Sequence, residues 1–254
     1  MVFGTGIAST VARTARIGYD CILHKTLCCP WHQLTGIPDP AHVKWRTMGG
    51  QGIFFLVAGP TAAGKTTVLR RLIEKIPELV KDVSVTSRAP RTGEVDGQAY
   101  RFWSRERFEE ALARNEFLEH AIVHGSDFYG TLKAPVEKQL NQGVDVIKDI
   151  DVQGAEQVRK RWPYPKTVMI FLTPPAPQDL IDRFRGRGTD DEETLQKRLK
   201  TAREEVRRVG SYDYLVCNHQ VEEAVEDLMA IRRAERLKRE RHEAEFRAVW
   251  QNDG

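Results

Sequence analysis

Eight residues, Gly59 to Thr66, read GPTAAGKT and satisfy the pattern G-x-x-x-x-G-K-[ST]. Such a loop wraps phosphate oxygens with backbone N–H groups, sends its lysine to the β and γ oxygens of a nucleoside triphosphate, and offers a hydroxyl to Mg²⁺. The flanks supply the context that makes the match specific. Residues 52 to 58, GIFFLVA, form a short apolar run suited to a strand buried on both faces, and KTTVLRRLIEKI follows with apolar residues at helical spacing. Strand, loop and helix come in the order this cradle requires. Its candidate residues are Gly59, Pro60, Thr61, Ala62, Ala63, Gly64, Lys65, Thr66 and Thr67.

The alternation continues along the chain. DVIKDID (145 to 151) and TVMIFLT (167 to 173) read as core strands with GAEQVRKRW as the helix between them, and YLVCN (214 to 218) reads as the last strand. The periodicity predicts helices over 178 to 186, 191 to 209 and 221 to about 248, the last ending in a charged stretch. Strands alternating with helices predict an α/β fold with a doubly wound parallel sheet. A chain of 254 residues is long enough to bury one such core.

Charge and cysteines narrow the partners. Arg13, Arg16, Lys25, Lys44 and Arg46 face only Asp20 and Asp39 before position 48, and this surplus is the whole formal charge of +3. The rest of the chain is neutral, which argues against the broad basic surface that duplex nucleic acid needs. No run of 18 or more apolar residues is present, so no membrane span is expected. Cys21, Cys28 and Cys29 lie in the first 47 residues and Cys217 stands alone, a pattern that fits a reducing compartment. Patterning begins at Met48. Residues 1–47 read as a dispensable leader, with organellar targeting as the alternative to a cytoplasmic protein, and residues 237–254 as a charged helical tail.

A second stretch, TSRAPRTGEVDGQAYRF (Thr86 to Phe102), sets Arg88 and Arg91 three residues apart. Spacing alone leaves two readings, a solvated surface or an anion site. The order of the residues resembles the signature of guanylate kinases, the nucleoside monophosphate kinases that convert GMP to GDP. EFLEHA, FYGT, DIDVQG, GRGTD and QKRL extend the likeness from about Gly52 to Arg236. Each motif is weak singly; in this order and spacing they are specific.

The resemblance implies a P-loop kinase domain over 48–236 with a GMP-binding insertion at about 84–131 and a helical lid at about 183–200. It implies that Arg88, Arg91, Tyr100 and Tyr129 hold the GMP phosphate, and that Ser84, Glu119, Thr131 and Asp151 lie at the guanine ring. Chemistry supports Glu119 there, because guanine presents N1–H and an exocyclic amine as donors and a carboxylate accepts from both. Asp149 resembles the acid that supports Mg²⁺ together with Thr66. Arg183, Arg187 and Arg198 look like the lid arginines that neutralise the transferring phosphoryl, and Asn218 lies toward the adenine. ATP and GMP are the implied substrates, dGMP a further acceptor, and Mg²⁺ the cofactor. The sequence leaves the oligomeric state open.

The chain departs from the usual pattern at several points. Thr61 and Ala62 stand where the loop commonly reads Ser-Gly, so a Cβ must be tolerated. GSDFYG is one residue longer than usual before Tyr129, which affects Ser126, Asp127 and Phe128. Lys148 replaces an apolar residue in a core strand and must snorkel, pair with an acid, or mark an exposed face. His120 and His219 read as structurally neutral. Two rivals share the resemblance: a non-catalytic binding module, against which Lys65 stands, and a ribose bisphosphate phosphokinase, against which Ser84, Glu119 and Thr131 stand.

Overall fold

The computed structural model describes residues 50–123, 127–186 and 191–251. Its central sheet carries β1 (Phe54–Ala58), β2 (Val80–Lys81), β7 (Val146–Asp149), β8 (Thr167–Thr173) and β9 (Tyr214–Cys217) in the order β2-β7-β1-β8-β9. Every pairing in it is parallel. The side chains of β1 explain why its sequence reads as a continuous apolar run. Phe55 and Val57 pack with Val68, Leu69 and Leu72 of α1 (Lys65–Lys75) and with Val225 and Leu228 of α7 (Val221–Arg236). Phe54, Leu56 and Ala58 point the other way, to Val136 and Leu140 of α3 (Lys133–Asn141) and to Ala155 and Val158 of α4 (Val152–Arg161). Both faces are buried, so no polar alternation survives. The expected doubly wound parallel sheet is the observed one.

A second sheet, β4-β3-β6-β5, is built from β3 (Val85–Thr86), β4 (Arg101–Phe102), β5 (Phe117–Val123) and β6 (Asp127–Leu132). It has its own core, in which Phe108 of α2 (Arg105–Ala113) stacks on Phe117 at 4.4 Å and on Phe128 at 5.1 Å. Asp127 pairs with Val123 and Phe128 with Ile122 in the β5–β6 ladder, while Ser126 lies outside the described residues. A small third cluster joins α5 (Pro177–Arg185) to α6 (Glu192–Val206) through Leu180, Phe184, Leu195 and Leu199, with Ala62 of the phosphate loop against it.

Of the three possibilities for Lys148, pairing with an acid is the one observed: it is 1% exposed and its ammonium meets Asp82 at 2.8 Å and Ser84 at 2.7 Å. One expectation needs correction. The single helix predicted from 221 to about 248 is two. After Arg236 the chain turns through Arg239–Arg241 and resumes as α8 (Glu243–Gln251). The break is stabilised by side chains, since Arg241 donates to the Glu235 carbonyl at 3.0 Å and the His242 ring donates to that of Arg236. These are carbonyls that a helix end leaves without partners. Gly49–Phe246 is one compact unit; of a second, Arg247–Gln251 are the described residues.

Candidate active site

The loop between β1 and α1 takes its shape from backbone constraints that its residues meet. Gly59 sits at φ 143°, and a Cβ there would lie 2.0 Å from the Leu172 carbonyl oxygen. Gly64 caps α1 at φ 95° with no side-chain hydrogen bond, which leaves the first N–H groups of the helix for a ligand. Ala62 lies between them at φ 67°, a left-handed conformation uncommon for a residue with a Cβ. Lys65 folds back over the loop and donates to the carbonyls of Gly59 at 2.7 Å and Pro60 at 3.1 Å.

The parallel register sets Val57 opposite Asp149, so the loop after β1 and the end of β7 are neighbours. The Thr66 hydroxyl donates to Asp149 at 3.4 Å. Burial pushes the Asp149 carboxyl above its ordinary range, with Lys65 acting against that rise. A hydroxyl and a carboxylate on adjacent elements form an all-oxygen donor pair, the chemistry a hard divalent cation takes when phosphate oxygens and water complete its shell. These two residues fit such an ion.

The loop opens on a cleft of about 560 Å³ whose walls include Gly59, Lys65, Thr66, Thr67, Lys81, Asp82, Ser84, Tyr100, Asp149, Asp151 and Glu205. Beyond Tyr100 the second sheet gathers the arginine and tyrosine residues. Arg88 donates to the Tyr129 hydroxyl at 3.1 Å, and its guanidinium stands 5.5 Å from the centre of the Tyr100 ring. The two tyrosine rings meet edge to face at 5.7 Å. Burial raises the Tyr100 phenol, which keeps it a hydrogen-bond donor. The Arg91 side chain is exposed near the same turn.

On the inner side of that sheet, Glu119 of β5 lies directly across from Thr131 of β6. The Thr131 hydroxyl donates to the Glu119 carboxylate, which is 7% exposed. Burial raises the Glu119 carboxyl, while Lys148 and the Thr131 bond pull the other way. Asp151 caps α4 by accepting from the Gly154 N–H at 2.6 Å, so it shapes the helix entry as well as the cleft wall.

Not every predicted residue reaches the cleft. The Arg183 guanidinium donates to the carbonyl of Ala63 at 3.0 Å and to that of Asn218 at 2.9 Å, holding the phosphate loop from behind. Asn218 is buried and donates to the same Ala63 oxygen at 2.6 Å; its own Oδ1 has no partner among the described residues. Arg198 sits over the Phe184 ring at 5.5 Å. Arg187 lies outside the described residues.

Three contributors escaped sequence reading. Glu94 accepts from the Arg88 guanidinium at 2.9 Å and from the Arg91 backbone N–H at 2.8 Å, bracing the turn that carries both arginines. The Asp82–Lys148 ion pair stands behind Ser84. Glu205 of α6 reaches the cleft wall, its carboxyl raised by burial and opposed by Lys65. Only Lys148 carried a signal, a charge inside an apolar strand.

Comparison with known proteins follows the same outline. The family model described as guanylate kinase matches residues 53–235. The chain is 44% identical over 191 residues to the guanylate kinase of Carboxydothermus hydrogenoformans, covering 75% of this chain and 92% of that one. It is 43% identical over 199 residues to the guanylate kinase of Dechloromonas aromatica, covering 77% and 97%. Among solved structures it is similar to the crystal structure of guanylate kinase from Anaplasma phagocytophilum, at 32% identity and a TM-score of 0.60 over 76% of this chain and 90% of that one. Because the match runs from the first core strand to the last turn of α7, the chain belongs to the guanylate kinase family.

Proposed function

We propose that the chain transfers the γ-phosphoryl of MgATP to GMP, and to dGMP, giving ADP and GDP or dGDP. One observation carries this reading: Lys65 and Thr66 of the phosphate loop line the same cleft as Ser84, Tyr100 and Asp151 from the acceptor side. Two nucleotides bound at those two ends meet phosphate to phosphate. Family membership supports the same reaction.

The steps follow from the residues. Backbone N–H groups of the loop and the start of α1 hold the ATP phosphates, and Lys65 exchanges its carbonyl contacts for phosphate oxygens. Arg88, Arg91, Tyr100 and Tyr129 grip the GMP phosphate; guanidinium forks match phosphate geometry, and the phenols add donors without charge. Glu119 accepts from N1–H and the exocyclic amine of guanine, with Thr131, Ser84 and Asp151 fixing the ring. Asn218, which the resemblance puts toward the adenine, would act through the Ala63 carbonyl of the phosphate loop that it holds. No general base is needed, because the acceptor phosphate has a second pKa of about 6 and is already largely ionised. Mg²⁺, when bound with ATP, would be held by Thr66 and Asp149 and would neutralise phosphate charge.

The lid, about 183–200, contributes Arg187 and Arg198 on closing, whereas Arg183 acts through the loop it holds. We place the catalytic body at 48–236, with residues 1–47 and 237–254 as additions to it. No helix among the described residues is long and apolar enough to cross a membrane; a cytoplasmic protein accords with that. A coupled assay of ADP formation with MgATP and GMP, dGMP, AMP, UMP or ribose 1,5-bisphosphate tests the reading. Rapid turnover confined to GMP and dGMP is expected; preference for AMP or for the sugar bisphosphate would overturn it.

A further inference from the structure

Lys148 and Asp82 form an ion pair whose side chains are 2% and 5% exposed, immediately behind the acceptor end of the cleft. Asp82 and Ser84 line that cleft; Lys148 does not. The ammonium lies 2.8 Å from Asp82 and 2.7 Å from the Ser84 hydroxyl oxygen. An ammonium only donates, so Ser84 must accept in that bond. The Ser84 hydroxyl makes no hydrogen bond to the Asp82 carboxylate. No protein acceptor takes that hydrogen among the described residues, and the direction left to it is the cleft.

From this geometry we infer that Lys148 is a positioning residue for base recognition: it commits the Ser84 hydroxyl to donating toward the ligand. The inference rests on the proposed placement of the guanine ring beside Ser84. A committed donor suits the edge of guanine that carries the O6 and N7 acceptors. At position 6 adenine presents an amine, itself a donor, and two donors facing each other leave one unpaired. Ser84 would thus read the acceptor edge while Glu119 reads the donor edge, and Lys148 sets the first of these without touching substrate. The same charge also opposes protonation of Glu119.

Loss of Lys148 alone would leave Asp82 buried and unpaired, so the informative variants change both residues. Asp82→Ala with Lys148→Met removes the pair and the donor to Ser84. Asp82→Asn with Lys148→Gln removes the charges and keeps an amide donor in that place. Ser84→Ala tests the base contact itself. Steady-state kinetics in the full chain with MgATP and either GMP or AMP would be read beside thermal melts. The expected result is a folded Ala/Met protein whose KM for GMP rises about fivefold to tenfold, with a matching fall in the GMP-to-AMP ratio of kcat/KM and a KM for ATP within about twofold of the parent. Ser84→Ala should reproduce that change, and the Asn/Gln protein should recover most of it. If Ser84→Ala weakens GMP and the folded Ala/Met protein does not, Lys148 is merely structural and the inference fails while the base reading stands. If neither variant changes GMP use, Ser84 does not read the base, and the inference falls with it. Failure of the Asn/Gln protein to recover GMP use, although folded, also overturns it.

Discussion

Arg183 of α5 donates to the backbone carbonyl of Ala63 at 3.0 Å, so helix α5 supports the phosphate loop directly. Two charge-assisted bonds to carbonyls, each contributing about 1.5–3 kcal/mol, fix the curvature on which the N–H groups converge. Arg183→Met keeps the apolar stem and removes both bonds. The expected result is a rise in KM for ATP of at least about tenfold, accompanied by a lower kcat, with KM for GMP little changed. A fall in kcat with KM for ATP intact would instead place Arg183 on the transferring phosphoryl.

Ala62 makes a second prediction, because its φ of 67° is paired with burial against the α5–α6 cluster. The left-handed backbone costs about 1–2 kcal/mol. Against replacing it with glycine stand a buried methyl group, about 0.8 kcal/mol, and glycine's extra chain entropy, about 0.5–1 kcal/mol. These nearly cancel, which explains how alanine is tolerated. Ala62→Gly should shift unfolding free energy by no more than about 1 kcal/mol, whereas the β-branched Ala62→Val should cost at least about 2 kcal/mol. Equal melting temperatures for the two variants would show that the strain is not local to this residue.

Glu119 gives the pH dependence. Burial holds its carboxyl above the ordinary 4.5, and the proposed contact with two guanine donors would require the ionised form. A raised carboxyl binds its proton more tightly in the folded state, so the free protein gains stability as pH falls through that raised value toward 4.5. GMP capture changes in the opposite sense: KM for GMP should climb in the same window. Glu119→Gln should lower kcat/KM for GMP by at least about 10²-fold, leave ATP affinity near normal, and keep only the acid-side climb that the GMP phosphate itself brings near its second pKa of about 6. A climb in Glu119→Gln as large as the parent's would show that Glu119 does not set it.

How much of this was legible in sequence depends on how local each contact is. The loop from Gly59 to Thr66 is contiguous, and its flanking strand and helix announce themselves by period, so the core sheet and the position of Lys65 were readable. Asp149 was readable for the same reason, at the end of an apolar run. The brace from Glu94 to Arg88 was not, since it forms only when the turn between them brings the two side chains together. Lys148 advertised a need for a partner without naming one; Asp82 lies 66 residues away and meets it because β2 pairs with β7. The break after Arg236 was hidden because no glycine or proline marks it, and the stop depends on Arg241 and His242 reaching back to helix carbonyls.

The boundary at Met48 is open to a direct trial. The compact unit Gly49–Phe246 contains every described residue assigned to the site. A chain beginning at Met48 should therefore keep KM for GMP and for ATP, and kcat, within about twofold of the full chain, with an unchanged melting temperature. Insolubility, or a large loss of turnover, would show that residues before Met48 belong to the catalytic body.

In the proposed reaction one cleft carries a phosphoryl group from ATP to GMP without passing it to water. The most direct measurement follows the label from ATP carrying a radioactive γ-phosphate, with Mg²⁺ and excess GMP, in the parent and in Lys65→Ala. Labelled GDP equal in amount to the ADP formed, little labelled inorganic phosphate, and a rate at least about 10²-fold lower in the variant are expected. Label released mainly as inorganic phosphate, or GDP formed at a near-normal rate without Lys65, would contradict it.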